Sequence, residues 1–254
     1  MTLFYLKLAI TPLLMWAISL ASRRWGGLLG GLLAGMPITS GLVMTFLSLE
    51  QGTDFALNAV PGALGGLAAV LATYAFYLYA TRRLAIGAAA GLAIVFYGLV
   101  AYVLTHWGHL YVSIGVALAL IVLLIVASGH EPKPETLARV RHRYWEIPLR
   151  MVSATALLMI TTHLAAWLGP QTSGMLAPIP VIAWPLMVFA HVQNGRAGMA
   201  AMVRGNAIGA VGVLAFYLML SGLMRALGVM PTIVLAMATA VALTVALAGL
   251  LRRR

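Results

Sequence analysis

The sequence has no cysteine and only five acidic residues in 254. The first absence excludes disulfides, thiolate metal sites and a cysteine nucleophile. No serine–histidine–acid arrangement, phosphate-cradling glycine loop or paired-carboxylate geometry occurs, so neither catalysis nor a cofactor is expected. His106 and His109 have i,i+3 spacing, but no acid stands near them to complete a metal site. Short alternating strands are also missing, which argues against a β-barrel.

What is abundant is apolar sequence. Hydrophobic residues make up 63% of the chain and charged residues 8%, a balance foreign to soluble domains. Apolar stretches reach about 20 residues, the length of a membrane-spanning helix. The fold class expected is therefore all-α, a polytopic helical membrane protein. Spans are predicted near 3–22, 28–49, 55–80, 84–105, 110–128, 148–168, 174–192, 198–223 and 229–251, about nine in all. Sixteen Lys and Arg give a net charge of +11. They sit at segment ends, so the charge reads as topology and contact with anionic lipid at the cytoplasmic face, with no nucleic acid as partner. The bias places the N-terminus outside and the C-terminus inside, in a bacterial inner membrane. The first apolar run lacks a basic leader, and Arg23 and Arg24 follow it, so it reads as a retained span rather than a signal peptide.

Two stretches stand apart. Residues 28–52, LLGGLLAGMPITSGLVMTFLSLEQG, carry Gly35, Pro37 and Gly41 where a membrane helix would be most buried. A proline there removes a backbone hydrogen bond, tolerable only if protein or trapped water satisfies the freed carbonyl. The helix is therefore predicted to break between Gly35 and Ser40. Residues 171–195, QTSGMLAPIPVIAWPLMVFAHVQNG, place Pro178, Pro180 and Pro185 in the same region of another segment.

An offset of 143 residues, the separation of Pro37 from Pro180, superposes the two regions. It pairs Gly31 with Gly174, Gly52 with Gly195, Gly62 with Gly205, Gly66 with Gly209, Tyr74 with Tyr217 and Arg82 with Arg225. Residues 1–106 and 148–254 read as two four-helix repeats, joined by an extra span and a basic linker over 107–147. The odd crossing inverts the second repeat relative to the first, the arrangement of many secondary transporters. The second repeat, LAPIPVIAWPLMVFAHVQNG followed by RAGMAAMVRGNAIGAVGVLAFYLML, resembles the small four-helix inner-membrane proteins of the GlpM type, and the first does so more faintly, as though two units were fused. The resemblance implies a membrane fold and no settled biochemical activity.

Pro37, Thr39, Ser40, Pro178 and Pro180 are the first candidates for substrate binding, because opened helices expose backbone amides and carbonyls at mid-membrane. Structural kinks would explain the same residues. Arg204 and Asn206, about two turns inside the eighth span, join them; an intramembrane Arg facing the cavity would favour an anionic or zwitterionic solute, and one that snorkels to the headgroups would not. Glu50, Asp54 and Asn58 at one mouth, and His191, Gln193 and Asn194 at the other, are candidates for coupling or gating; Glu50 and Asp54 would share a face if helical. The pairs Gly62/Gly66 and Gly205/Gly209 read as close helix packing. The function expected is a small secondary transporter for a small polar solute, with anionic solutes included. The alternatives are a flippase or binding protein for lipid or a lipid-linked substrate, and a non-transporting membrane subunit. Membrane lipids, a small-molecule substrate and a homodimer are the partners that fit.

Overall fold

A computed structural model describes residues 4–17, 20, 35–107, 110–129, 145–180 and 183–252. Among these, every regular element is a helix. In chain order they are α1 (Phe4–Ala17), α2 (Ile38–Gln51), α3 (Thr53–Ala80), α4 (Ile86–Trp107), α5 (Leu110–Gly129), α6 (Glu146–His163), α7 (Ala165–Leu176), α8 (Ala183–Leu227) and α9 (Val229–Arg252). Of these, α3, α4, α5, α8 and α9 are long and apolar enough to cross a membrane, consistent with an integral membrane protein.

The remaining expected spans coincide with shorter helices, and glycine and proline explain several of the boundaries. α2 begins at Ile38, after a turn over 35–37, so Thr39 and Ser40, expected within the break, are helical. The stretch of the second span that precedes Gly35 lies outside the described residues. The expected sixth span stops at His163, and Gly169 at φ 73° with Pro170 behind it starts the chain in a new direction within α7. α8 bends at Gly195, φ 61°, into arms over 183–194 and 196–227. Gly52, φ 92°, makes the equivalent turn between α2 and α3.

α3 and α8 form the centre. Of the most apolar 18 residues of α3, 72% are buried, against 17% in α4 and 28% in α9, whose Ile94, Val95, Val234 and Val245 face outward. The reason is side-chain size. A methyl group on Gly62 would fall on the Gln171 backbone, and one on Gly174 would fall on the Ala59 carbonyl, so α3 and α7 cross with almost no side chain between them. α3 and the second arm of α8 run antiparallel. Asp54 in the first turn of α3 pairs with Arg225 in the last turn of α8 at 3.1 Å, and Arg196 at the start of that arm reaches the Leu78 carbonyl at 3.5 Å near the end of α3.

Hydroxyls within the helices turn back on their own backbone. Thr45, Ser48, Thr73, Thr105 and Thr232 each donate to the carbonyl four residues earlier at 2.7 Å, which satisfies them locally and leaves them poor ligands for anything else.

Gly66→Ala brings a methyl within 2.5 Å of the Met175 carbonyl and 2.8 Å of the Pro178 ring, and Gly209→Ala brings one within 2.7 Å of the Gly35 backbone. Each is expected to destabilise the protein by about 1–3 kcal/mol. Gly91→Ala, which meets open space, should be neutral or stabilise by about 0.5–1 kcal/mol. Thermal unfolding of the three variants in detergent checks the contrast.

Candidate functional site

The two interruptions meet at the centre of the bundle. In the first, the Ile38 amide donates to the Met36 carbonyl at 2.8 Å and the Gly41 amide to the Pro37 carbonyl at 2.7 Å, turning the chain from Gly35 into α2. In the second, α7 ends at Leu176 and residues 177–180, Ala-Pro-Ile-Pro, are non-helical. Pro178 and Pro180 have no amide hydrogen, so carbonyls at the end of α7 lose their helical donors. The Ala177 and Ile179 amides turn back to the Gly174 and Leu176 carbonyls at 3.0 and 3.2 Å, and side chains from other helices reach two further carbonyls. The Tyr97 hydroxyl donates to the Met175 carbonyl at 3.0 Å, and the Ser40 hydroxyl donates to the Ala177 carbonyl at 3.4 Å, linking one interruption to the other. Each interruption also sits on a glycine of the opposite central helix: Pro178 on Gly66 of α3, and Gly35 on Gly209 of α8.

Between them lies a cavity of about 50 Å³. Gly35, Met36, Thr39 and Ser40 line it from the first interruption, Pro178, Ile179 and Pro180 from the second, Tyr74 from α3 and Asn206 from α8. No charged side chain is among its lining residues. Asn206 is 3% exposed; its amide nitrogen donates to the Met202 carbonyl at 3.1 Å, and its Oδ1 has no partner among the described residues.

Of the expected binding residues, Thr39, Ser40, Pro178, Pro180 and Asn206 thus come together. Pro37 is buried just before α2 and does not line the cavity. Arg204 does not line it either; its guanidinium lies against Gly129 at the end of α5, where a methyl would come within 3.1 Å of Nη1. The reason is helical geometry: two residues apart on a helix, Arg204 and Asn206 point about 200° away from each other.

Charges gather at the two ends. At one end Lys7, 4% exposed, holds Glu50 at 2.6 Å and donates to the Thr162 hydroxyl at 2.6 Å, with its ammonium 5.3 Å from the Phe46 ring centre. Thr162 passes its own proton to the Leu158 carbonyl at 2.8 Å. Beside this triad opens a crevice of about 750 Å³ whose walls include Phe4, Leu8, Met159, Ile160 and His163. The expectation that Glu50 and Asp54 share a helical face is corrected. Gly52 ends α2 between them, so Glu50 belongs to Lys7, and Asp54, with Asn58 exposed one turn further on, belongs to α3 and Arg225.

At the other end His191, buried, places Nδ1 3.1 Å from the Tyr77 hydroxyl. A chain of rings leads from there to the cavity: Tyr77 packs edge-on against His191 and Trp184, and Trp184 stacks on Tyr74 at 6.2 Å. Gln193 is exposed and Asn194 half-buried beside the Gly195 bend. Three residues escaped the sequence reading. Lys7 was legible as the single basic side chain in the first apolar run. Tyr77 and Tyr97 were not, because nothing in the sequence marks a tyrosine that caps a carbonyl or meets a histidine in another helix.

No protein-family model, curated protein or solved structure matches the chain.

Glu50→Gln leaves the Lys7 ammonium buried without a counter-charge and is expected to cost about 3–5 kcal/mol, whereas the double replacement Lys7→Met, Glu50→Leu should recover most of it. Unfolding midpoints of the single and double variants measure the difference.

Proposed function

We propose that this protein is a small secondary transporter for a small polar solute, built from two inverted four-helix units over 1–106 and 148–254 with α5 and the basic linker between them. The observation that carries the reading is the central cavity lined both by the turn that precedes α2 and by the non-helical stretch that follows α7. Interrupted helices from corresponding halves are the usual setting of a mid-membrane transport site. Duplication is supported by the same 143-residue offset in the elements themselves. It relates the positive-φ turns at Gly52 and Gly195, the first residues of α4 and α9, and the seats at Gly66 and Gly209. Inversion is supported by the antiparallel course of α3 and the second arm of α8. Two fused GlpM-like units would have this form.

The seals on the cavity give the reading its mechanism. Tyr74, Trp184, Tyr77 and His191 close one route; Phe46, two turns along α2 from Thr39, lies beneath the Lys7–Glu50 pair on the other. Rocking of the units against each other would open either seal while its counterpart stays shut. By the distribution of basic residues, the Lys7 end faces outward and the Arg196 end faces the cytoplasm and its anionic lipid. The outward-facing apolar sides of α4, α5 and α9 suit lipid or a second copy of the chain.

A second reading, a protein that binds or flips a lipid or lipid-linked substrate, draws on the 750 Å³ crevice. Its largely apolar walls carry a buried ammonium paired with a partly exposed carboxylate and would suit an acyl chain and headgroup.

Reconstituted into liposomes, the protein is expected to accelerate uptake of at least one small polar solute above protein-free vesicles. Asp54→Cys with Arg225→Cys, oxidised to a disulfide, should reduce that uptake at least about tenfold by tying the two units together, and reduction should restore it. Uptake indifferent to the cross-link would defeat the rocking mechanism. Lipid scrambling without solute uptake would establish the second reading instead.

A further inference from the structure

The central site, taken as the transport site proposed above, also carries information about what it binds. We infer that it takes a solute of zero net charge that offers a hydrogen-bond acceptor to the start of α2 and a donor to Asn206: a small zwitterion of the amino-acid type or a small amide.

Three features lead there. First, none of the described residues that line the cavity is charged. A net charge moved from water into such a cavity loses several kcal/mol of hydration with no counter-ion among the described lining residues in return, and Arg204, the basic side chain nearest along the chain to Asn206, lies beside Gly129 and does not line the cavity. Second, the wall supplies donors at one place. The amides of Thr39 and Ser40 open α2 at the cavity and have no backbone acceptor among the described residues, so they suit a carbonyl or carboxylate oxygen. Third, it supplies an acceptor at another. The Asn206 amide nitrogen is held by the Met202 carbonyl, against which the oxygen could not be exchanged; its unpartnered Oδ1, covered in this structure, is the acceptor left over for a ligand N–H or O–H.

Size fits the same class. About 50 Å³ holds on the order of three waters, the room taken by a molecule of a few non-hydrogen atoms. The polar groups are also confined to one copy of the repeat. At the offset of 143, Thr39, Ser40 and Asn206 correspond to Ile182, Ala183 and Ala63, whereas Gly66 and Gly209 stand in both. Scaffold residues are duplicated; these hydrogen-bonding residues are not, as a ligand site shared by both units would require.

The test is binding by the purified protein, read as the rise in its thermal unfolding midpoint and by calorimetry. Glycine, alanine, urea and acetamide are compared with acetate, formate, methylammonium and guanidinium. The expected result is that at least one neutral compound binds and that every charged one is weaker by roughly tenfold or more; the amino acids and the amides separate zwitterion from uncharged amide. Asn206→Leu should lose this binding. Asn206→Asp, which keeps the shape, should shift preference toward methylammonium, so the inference stays open to test even if the leucine variant does not fold. Tighter binding of acetate or methylammonium than of every neutral compound, no binding by any of the eight, or an unchanged preference in Asn206→Asp would each overturn it. Binding without liposome uptake would leave the ligand class standing and defeat the transport reading; uptake of charged solutes alone would do the reverse.

Discussion

An opened helix inside an apolar bundle has backbone groups that cannot turn to water, and the rest of this protein is arranged around satisfying them. Two openings occur among the described residues, at Gly35–Pro37 and at 177–180; the first half of the chain hydrogen-bonds to the second opening, and the first opening packs on the second half. The Met175 carbonyl takes the Tyr97 hydroxyl, the Ala177 carbonyl takes the Ser40 hydroxyl, and both openings lie on glycines of the opposing central helix. That exchange explains why α3 and α8 are the most buried long helices and why their contact faces are Gly and Ala: any larger side chain would hold the opened segments away from the groups that complete them.

The same exchange creates a hollow. Two non-helical turns cannot fill space as evenly as two helices, and the gap between them is lined by Thr39, Ser40 and Asn206. Elsewhere several interior hydroxyls bond to their own helix four residues back, whereas those of Thr11, Thr155, Thr161, Ser173, Tyr217 and Thr244 are buried with no partner among the described residues. Charge is concentrated at the ends. There Lys7 with Glu50 and Asp54 with Arg225 join elements distant in sequence. The end pairs differ in strength. The buried Lys7 pair has few competing water contacts, while the exposed Asp54–Arg225 pair, 81% and 75% accessible, contributes roughly 0–1 kcal/mol.

Much of this was legible in the sequence, because prolines and glycines act locally. Pro37, Pro178 and Pro180 forced the interruptions, and the recurrence of Gly52, Gly66, Gly195 and Gly209 at one offset marked positions that proved to be turns and helix seats. What depended on azimuth or on distant partners was not legible. Depth alone made Arg204 a candidate for the cavity, although its two-residue spacing from Asn206 already set the two on different faces. Glu50 and Asp54 share a face only in a continuous helix, and Gly52 ends α2 between them, in the gap expected between the spans over 28–49 and 55–80. Lys7 itself was legible as the single basic side chain in the first apolar run, but its partners, Glu50 and Thr162, lie 43 and 155 residues away and were not.

The account stands on the central hollow being a place that opens to each side in turn. A single cysteine at Thr39, introduced into a chain that has none of its own, measures this through its reaction with a membrane-impermeant thiol reagent applied from either face of sealed vesicles. The account predicts labelling from both faces, with a bound solute altering the two rates in opposite directions. Labelling from one face only, or from neither, would contradict it.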